Sequence, residues 1–428
     1  MTETRNPNRA MVTTPVWFKV EGVGALPSPG LLVYRERVEE NLRRTLALAG
    51  GAERLRPHIK THKMREMIEL QLALGITKFK CATIAEAEMA AAAGAPDLLL
   101  AYQPVGPNVR RVAELRAAFP RTKFSVVCDD AAAIRELSKV VQAARPASGA
   151  GVSPATPGVT PAAMGRGQAG PEGGRDAREH RRDAREHRRD ACATLEVLLD
   201  IDVGQHRTGV PAGPKAAELY RLIAASPGLK PGGLHAYDGH ISDSDPAARA
   251  AACDAAFAPV LALQRELLAA GLPVPRIVAG GTPTFPIHAR RGGVECSPGT
   301  CVFWDAAYAG KLPDLPFLPA ALVLTRVVSK PGPNRLCLDL GHKAIASEMP
   351  RPRVQFLNLA DAEAVGHSEE HLVVETARAG EFQVGDCLYG VPRHICPTVA
   401  LHSAAVVIEN QRVAGAWKVA ARDRRLTI

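Results

Sequence analysis

The sequence predicts an α/β protein with two domains, a (β/α)8 TIM-type barrel followed by a β domain. Eight short strand-like runs alternate with helical segments in residues 31–305. Beyond Phe317, alternating runs rich in Val and Leu are separated by Gly/Pro turns. A chain of 428 residues suits two domains better than one. We therefore predict a barrel over residues 31–305 and a β domain formed by residues 1–30 and 306–428.

The predicted barrel depends on the alternation of strand and helix patterns. Ala85–Ala93, Asn108–Ala118 and Pro214–Ala225 have helical periodicity and lie between strand-like runs. Such alternation indicates parallel βαβ units, and eight of them suit a closed barrel; a doubly wound open sheet is the alternative. The eight runs are Leu55–Ile59, Lys78–Thr83, Leu98–Tyr102, Phe124–Asp129, Leu195–Asp202, Gly233–Tyr237, Pro275–Ala279 and Val294–Ser297.

The β domain is predicted from four further runs with strand-like alternation. We expect no long helix among them, and we expect residues 1–30 to pack on this domain. The four runs are Ala321–Val328, Arg335–Asp339, His371–Thr376 and Ala404–Glu409.

Residues 145–191 interrupt the barrel pattern. A tract rich in Pro, Gly, Ala and Ser is followed from Arg175 by two direct copies of RDAREHR and a partial third. The tract cannot bury enough apolar surface to order itself, and the repeat has no apolar face. We predict a surface insertion, disordered or a frayed helix; an interaction arm is the alternative.

Composition and charge narrow the classes of function. The net charge is +9, but no Lys/Arg patch is interleaved with aromatic residues, so we predict no nucleic-acid partner. The nine cysteines form no CxxC pair, and the N-terminus lacks the apolar run of a signal peptide. No run of about 18 uninterrupted apolar residues predicts a membrane span. We expect a cytoplasmic protein with free thiols.

The first predicted strand ends in the motif RPHIKTHK, Arg56–Lys63. Chemistry in TIM barrels is located at the C-terminal ends of the strands, where Lys60 would lie. A lysine amine at this place can form a Schiff base with an aldehyde cofactor. Arg56 and His58 would share its strand face and contact the cofactor. The alternative is that Lys60 is a surface residue at a strand end.

Two glycine loops follow the last two predicted barrel strands. VAGGTPT contains Gly280, Gly281 and Thr282, and SPGT contains Gly299 and Thr300. Backbone N–H groups and hydroxyls in such loops suit a phosphate, and phosphate sites of this fold favour these positions. Each loop alone could be an ordinary turn, but together they predict a phosphate site.

His394 and Cys396 form an HxC pair in the predicted β domain. In an extended segment the two side chains would point the same way, as Zn²⁺ or a similar metal requires. Two protein ligands leave coordination positions for water or substrate, as in a catalytic site. A chance HxC in a β domain is the alternative.

Loops after the fifth and sixth predicted strands carry further candidates. His240, in the Asp-Gly-His motif, is a candidate acid, base or metal ligand. Arg207 and Tyr237 are candidates for contact with the cofactor, although Arg207 could also brace its own loop. The polar sets Gly341–Lys343 and Glu370–His371 fit a site or solvated turns equally well.

These motifs together resemble a known family. RPHIKTHK, IDVGQHRTGV, HAYDGH, AGGTPTF, SPGTCVFWD and HICPT, in this order, are similar to the D-threonine aldolase and D-serine dehydratase family. Its members are pyridoxal-phosphate enzymes of the alanine-racemase-like fold (fold type III). The resemblance implies a cofactor on Lys60, a divalent metal (Mn²⁺, Zn²⁺ or Mg²⁺) on His394 and Cys396, and His240 near the substrate hydroxyl. It also implies D-configured β-hydroxy substrates and a homodimer.

The resemblance leaves the reaction open between two lyases. GQHRTGV and the segment Gly341–Glu348 are more similar to D-threonine aldolases, whereas Cys396 as the second metal ligand is typical of the dehydratases. We predict a D-threonine aldolase, with a D-serine or D-threo-3-hydroxyaspartate dehydratase as the alternative. An amino-acid racemase is less favoured, since racemisation has no leaving hydroxyl for a metal to polarise. A non-catalytic protein of cofactor homeostasis is disfavoured by the long β domain.

Overall fold

The structure is a computed structural model that describes residues 16–144 and 194–428. The predicted insertion at 145–191 lies outside the described residues. The chain divides into two compact units. We call them the strand unit (Met1–Leu48, Lys60–Leu70 and Gly299–Arg422) and the barrel unit (Ala49–Ile59, Gln71–Pro298 and Asp423–Ile428).

The described strands and helices are numbered here in chain order. The strands are β1 Gly30–Tyr34, β2 Lys78–Cys81, β3 Asp97–Leu100, β4 Lys123–Cys128, β5 Leu195–Asp202, β6 Val210–Pro211, β7 Leu229–Ala236, β8 Ile277–Ala279, β9 Val294–Cys296, β10 Ala321–Gly332, β11 Arg335–Leu338, β12 Val354–Phe356, β13 Glu363–His367, β14 Leu372–Glu375, β15 Cys387–Pro392, β16 Ala404–Glu409 and β17 Arg412–Lys418. The α-helices are α1 Arg35–Ala49, α2 Arg65–Ala73, α3 Ile84–Ala92, α4 Pro107–Ala118, α5 Ala131–Ala143, α6 Pro214–Ala225, α7 Pro246–Ala269, α8 Phe285–His288, α9 Ala306–Lys311 and α10 Ile395–Leu401.

The barrel unit contains a parallel sheet in the order β2-β3-β4-β5-β7-β8-β9, with β6 paired to β5. The chain before Lys60 closes this sheet, because Leu55 bridges to Cys296 of β9 and His58 bridges to Lys80 of β2. This closure confirms the predicted barrel and excludes the doubly wound open sheet. The first predicted strand, Leu55–Ile59, is replaced by these two bridges and a one-turn 3-10 helix, Ile59–Thr61.

Ion pairs join the strands at the N-terminal end of the barrel. The buried Arg56 contacts Asp97 at 2.7 Å and Glu295 at 2.6 Å, from β3 and β9. Glu196, in β5, accepts from Arg276 at 2.6 Å and from Lys123 at 2.9 Å. In TIM barrels this end contributes to stability, and the chemistry is located at the other end.

The helix α7 has the length and hydropathy of a membrane-spanning helix, the one such helix within the described residues. This is weak evidence, since the core helix of a globular domain meets the same criteria. Its buried residues recur every three or four positions, which defines the single stripe that a helix packed against a sheet buries. These residues are Arg249, Cys253, Phe257, Val260, Leu263 and Leu267.

The strand unit contains a nine-stranded sheet with the main order β13-β14-β11-β10-β1-β16-β17. β1 pairs antiparallel with β10 and parallel with β16, so the chain enters the barrel unit only after adding a strand to this sheet. The unit limits therefore differ from the predicted division at residues 31–305. The segment Lys60–Leu70 also belongs to the strand unit. The eight cysteines of the described residues are free thiols.

Candidate active site

Lys60 lies in the 3-10 turn Ile59–Thr61 of the chain and is half-buried. The next residue, Thr61, is fully buried, and its Oγ1 lies 3.3 Å from Sγ of Cys396. Thr300 also contacts this sulfur, at 3.5 Å. Two of the predicted sites, the cofactor lysine and the metal pair, are thus linked through one hydroxyl contact within the strand unit.

The metal pair lies at a helix start, so the predicted extended geometry is wrong. His394 is the N-cap residue of α10, and Cys396 lies in the first turn of that helix. The helix begins here because the N–H of Ile395 donates to Oδ2 of Asp305 at 3.1 Å. His394 and Cys396 nevertheless lie close enough for each to shift the pKa of the other, and their role as a metal pair stays a prediction.

The electrostatics of the pair favour a thiolate. Burial alone would raise the pKa of the Cys396 thiol, but the interactions with His394, Thr61 and Thr300 together outweigh burial and lower this pKa below its ordinary value. Burial alone would lower the pKa of His394, but Cys396 and Glu348 outweigh it and raise this pKa to about 9. Because the thiolate is the form that binds a metal, this sulfur is prepared to act as a ligand.

Glu348 is a member of this site that the sequence pattern did not single out. Its Oε1 lies 2.5 Å from Nδ1 of His394. The segment that carries Glu348 is fastened to α10, because the N–H of Ala346 donates to Thr398 Oγ1 at 3.1 Å and His402 Nε2 donates to the carbonyl of Ala344 at 2.8 Å.

Cationic side chains flank Tyr237 at the C-terminal end of β7 in the barrel unit. The guanidinium carbon of Arg207 lies 5.0 Å from the centroid of the Tyr237 ring. Nζ of Lys80 lies 5.3 Å from the same centroid. Arg207 is exposed and Tyr237 is half-buried, so this group can be reached from solvent. Two cations around one phenol ring offer an anionic ligand a favourable electrostatic environment.

Lys80, His235 and Asp200 form a buried chain of hydrogen bonds across the barrel interior. Nζ of Lys80 lies 3.5 Å from Nε2 of His235, whose Nδ1 lies 2.6 Å from Oδ1 of Asp200. Burial lowers the pKa of His235 below its ordinary value, although Asp200 opposes this. The neutral ring then donates from Nδ1 to Asp200 and accepts at Nε2 from the Lys80 ammonium.

Asp238, within the HAYDGH motif, is buried and anchors the predicted phosphate loop. Its carboxylate accepts from the N–H of Gly281 at 3.1 Å, from Oγ1 of Thr284 at 2.7 Å and from Nε2 of His288 at 2.8 Å. The N–H of Gly280 donates to the carbonyl of Ala236 at 3.3 Å. The N–H groups of both glycines are therefore bonded within the protein. Of the three phosphate contacts predicted in this loop, only Thr282 is unaffected by this finding.

Asp238, Cys253 and His288 also form a buried group whose potential metal-ligand atoms lie within 4.8 Å of one another. Arg291 lies beside this group, with Nη1 at 2.6 Å from Nδ1 of His288 and at 3.7 Å from Sγ of Cys253. A guanidinium at this distance repels a second cation, and its donation to Nδ1 directs the His288 proton toward Asp238. We interpret the group as a structural hydrogen-bond cluster.

The remaining candidates have separate environments. His240 is exposed, and a Cβ built on Gly204 would lie 3.3 Å from its Nε2, so it lies over the loop that follows β5. His58 is buried, and its backbone N–H donates to the carbonyl of Pro298 at 2.7 Å. Arg56 directs its guanidinium to Asp97 and Glu295 at the N-terminal end of the barrel. The predicted contacts of Arg56 and His58 with a cofactor stay predictions.

The two polar sets predicted in the β domain, Gly341–Lys343 and Glu370–His371, are partly exposed to solvent. Lys343 forms exposed ion pairs with Glu369 at 2.7 Å and Glu370 at 3.3 Å. The residues that sequence reasoning missed are Thr61, Glu348, Asp305, Lys80, Asp200 and His235. A signal existed for four of them, because RPHIKTHK, HAYDGH, SPGTCVFWD and GHKAIASE carry the family resemblance and contain Thr61, His235, Asp305 and Glu348, respectively. No quoted motif contains Lys80 or Asp200.

Comparison with known families agrees with this architecture. Residues 176–306 match the model of the alanine racemase N-terminal domain, and residues 320–408 match a model described as a putative serine dehydratase domain. The first match falls on barrel strands and the second on strands of the strand unit.

Two relatives that match over more than 90% of both chains are named as aldolases. The chain is 29% identical over 404 residues to a D-threonine aldolase of an Arthrobacter species, covering 92% of each chain. It is 28% identical over 415 residues to a 3-hydroxy-D-aspartate aldolase of Paracoccus denitrificans, covering 93% of each. The crystal structure of a D-threonine aldolase from Filomicrobium marinum superimposes with a TM-score of 0.75 at 26% identity, covering 94% of this chain and 96% of that one.

The fold is therefore alanine-racemase-like, with a parallel barrel and a strand-rich second unit. Over most of its length the chain is similar to D-threonine and 3-hydroxy-D-aspartate aldolases of this fold, and it is a lyase.

Proposed function

We propose that the protein is a pyridoxal-phosphate- and divalent-metal-dependent lyase that cleaves D-β-hydroxy amino acids, with D-threonine giving glycine and acetaldehyde. The aldolase names of relatives that match it over more than 90% of its length support this activity. The observation that carries the proposal is the 3.3 Å contact between Thr61 Oγ1 and Cys396 Sγ, since Thr61 directly follows the predicted cofactor lysine.

The donor set of His394 and Cys396 fits a borderline divalent metal. One imidazole nitrogen and one thiolate sulfur are the atom types that Zn²⁺ and similar metals bind, and Mn²⁺ and Mg²⁺ are further candidates. The lowered pKa of the Cys396 thiol favours the thiolate form, which is the form that binds a metal. When bound, the metal would polarise the β-hydroxyl group of the substrate.

The residues proposed to hold the cofactor also fit its chemistry. Lys60 provides the primary amine, and Arg207 provides a cation beside the Tyr237 ring. Glycine at position 281 keeps this loop open, because a Cβ there would lie 3.3 Å from the Tyr237 ring. Thr282, Gly299 and Thr300 are the proposed phosphate contacts. When bound, the cofactor would accept the electron pair that the substrate releases at Cα.

The protein side chains then have defined proton-transfer roles. His240, at the C-terminal end of the barrel, accepts the proton of the β-hydroxyl group as the Cα–Cβ bond breaks. The oxygen becomes the carbonyl of acetaldehyde, and the Lys60 ammonium returns a proton to Cα to form glycine. Glycine and acetaldehyde together contain all the atoms of threonine, so the cleavage needs no co-reactant.

A dehydratase is the second candidate, and Cys396 favours it. A D-threo-3-hydroxyaspartate dehydratase of a Delftia species is 27% identical over 285 residues, covering 65% of this chain. In that reaction Lys60 would remove the Cα proton and hydroxide would leave from Cβ. D-Threonine would then give 2-oxobutanoate and ammonia.

The two reactions are distinguished in one assay. Purified protein is incubated with pyridoxal phosphate, Mn²⁺ or Zn²⁺ and D-threonine, and acetaldehyde and 2-oxobutanoate are measured in the same sample. The proposal predicts acetaldehyde with equimolar glycine, no product from L-threonine, and loss of product after chelation. 2-Oxobutanoate with ammonia would replace the aldolase by the dehydratase, and activity indifferent to chelator would remove the metal from the mechanism.

The proposal also covers the oligomeric state, the localisation and the partners of the enzyme. We expect a cytoplasmic homodimer without a nucleic-acid or membrane partner, from the family resemblance and the composition. Sedimentation velocity of the purified protein tests the dimer directly, since a concentration-independent monomer would contradict it.

A further inference from the structure

Glu348 is placed to control the metal ligand His394 without binding the metal itself. Its Oε1 lies 2.5 Å from Nδ1 of His394, and both side chains are about half exposed, at 48% and 40%. A ring nitrogen that donates to a carboxylate cannot bind a metal at the same time. Only Nε2 is then left to share a metal with the Cys396 sulfur.

The position of Glu348 is fixed by the fold. Thr398 Oγ1 accepts from the N–H of Ala346 at 3.1 Å and donates to the carbonyl of His394 at 2.8 Å. One hydroxyl thus connects the segment before Glu348 to the residue that Glu348 contacts. A carboxylate held in this way orients the imidazole ring and increases its basicity toward a cation.

We propose that Glu348 is a positioning residue of the metal site, which holds His394 in the tautomer that presents Nε2 to a divalent cation. This inference rests on the proposed function, because it requires His394 and Cys396 to bind a metal. Partners of this kind typically change metal affinity by about 10- to 100-fold.

The test measures the affinity for Zn²⁺ alone, without any substrate. Full-length protein carrying pyridoxal phosphate is stripped of metal and titrated with Zn²⁺ against a fluorescent chelator. We expect Glu348→Ala to weaken Zn²⁺ binding about 10- to 100-fold, and Glu348→Gln to weaken it less, since an amide oxygen can still accept from Nδ1. Circular dichroism establishes that each variant is folded.

Two further variants show whether a change in Zn²⁺ affinity is specific to Glu348 and to the proposed metal site. Glu370→Gln is the matched control: it is an exposed carboxylate of the same unit, paired with Lys343 at 3.3 Å, and we expect it to bind Zn²⁺ like the wild type. Cys396→Ala removes a proposed ligand. If Cys396→Ala weakens binding while Glu348→Ala stays within twofold of the wild type, the role of Glu348 is overturned and the metal site stands. If neither change affects Zn²⁺ affinity, the metal site itself is overturned.

Discussion

Lys80 is a charged residue in the interior of the barrel, where apolar side chains usually form the packing layers. It is 2% exposed and reaches from β2 to His235 of β7, which is bonded to Asp200 of β5. A buried cation costs several kcal/mol unless a hydrogen-bonded counter-charge compensates for it. Asp200 provides that counter-charge through the neutral ring of His235.

A double-mutant cycle tests this chain of hydrogen bonds. Lys80→Met removes the cation beside His235, and Asp200→Asn removes the anion bonded to the same ring. We expect each single change to lower the free energy of unfolding by about 3–5 kcal/mol. The double variant should lose less than the sum, and urea unfolding measures all three. Additive losses would show that the two charges do not interact.

The sequence motifs identified some site residues but not the neighbours that complete the site. Lys60, His394 and Cys396 are recognisable because each lies within a short motif of distinctive residue types. Thr61 and Glu348 acquire their roles through contacts that span 335 and 46 positions of the chain. No local pattern encodes such contacts, so they could not be predicted from spacing.

At the scale of elements, the start of α10 shows why a local pattern failed. HICPT lies among strand-like runs, so an extended geometry was the reasonable expectation. The carboxylate of Asp305 accepts the N–H of Ile395 at 3.1 Å and also caps α9 through the N–H of Tyr308 at 3.0 Å. A tertiary contact therefore determines the helix start, and the same contact sets the position of the metal pair.

Glu196 connects β5 to its neighbours and should make the barrel sensitive to acid. Burial opposes its ionisation, but Arg276 and Lys123 outweigh burial and lower the pKa of Glu196 from 4.5 to about 2. Because the folded-state pKa is depressed, the stabilisation is complete above pH 4.5 and is lost as the pH falls toward 2. We expect Glu196→Gln to flatten the decline in the free energy of unfolding over this range. Parallel curves for the variant and the wild type would contradict this assignment.

At the scale of the whole molecule, the alternation of strands and helices was sufficient to predict the barrel. It could not show that β1 pairs with β10 and β16, because strand partners separated by hundreds of residues leave no local signal. It could not show either that residues 60–70 group with the strand unit. The second observation brings Lys60 into the same unit as His394 and Cys396, which is the basis of the proposed function.

The proposed attachment of the cofactor to Lys60 can be tested by comparing two lysines of one motif. Lys60→Ala and Lys63→Ala are purified, incubated with pyridoxal phosphate, freed of excess cofactor and examined for the visible absorbance of bound cofactor. Lys63 is the matched control, since its Nζ donates to the carbonyl of Ala421 at 3.3 Å. We predict that Lys60→Ala loses the band and that Lys63→Ala retains it. A band retained in Lys60→Ala, with or without loss in Lys63→Ala, would show that Lys60 does not carry the cofactor.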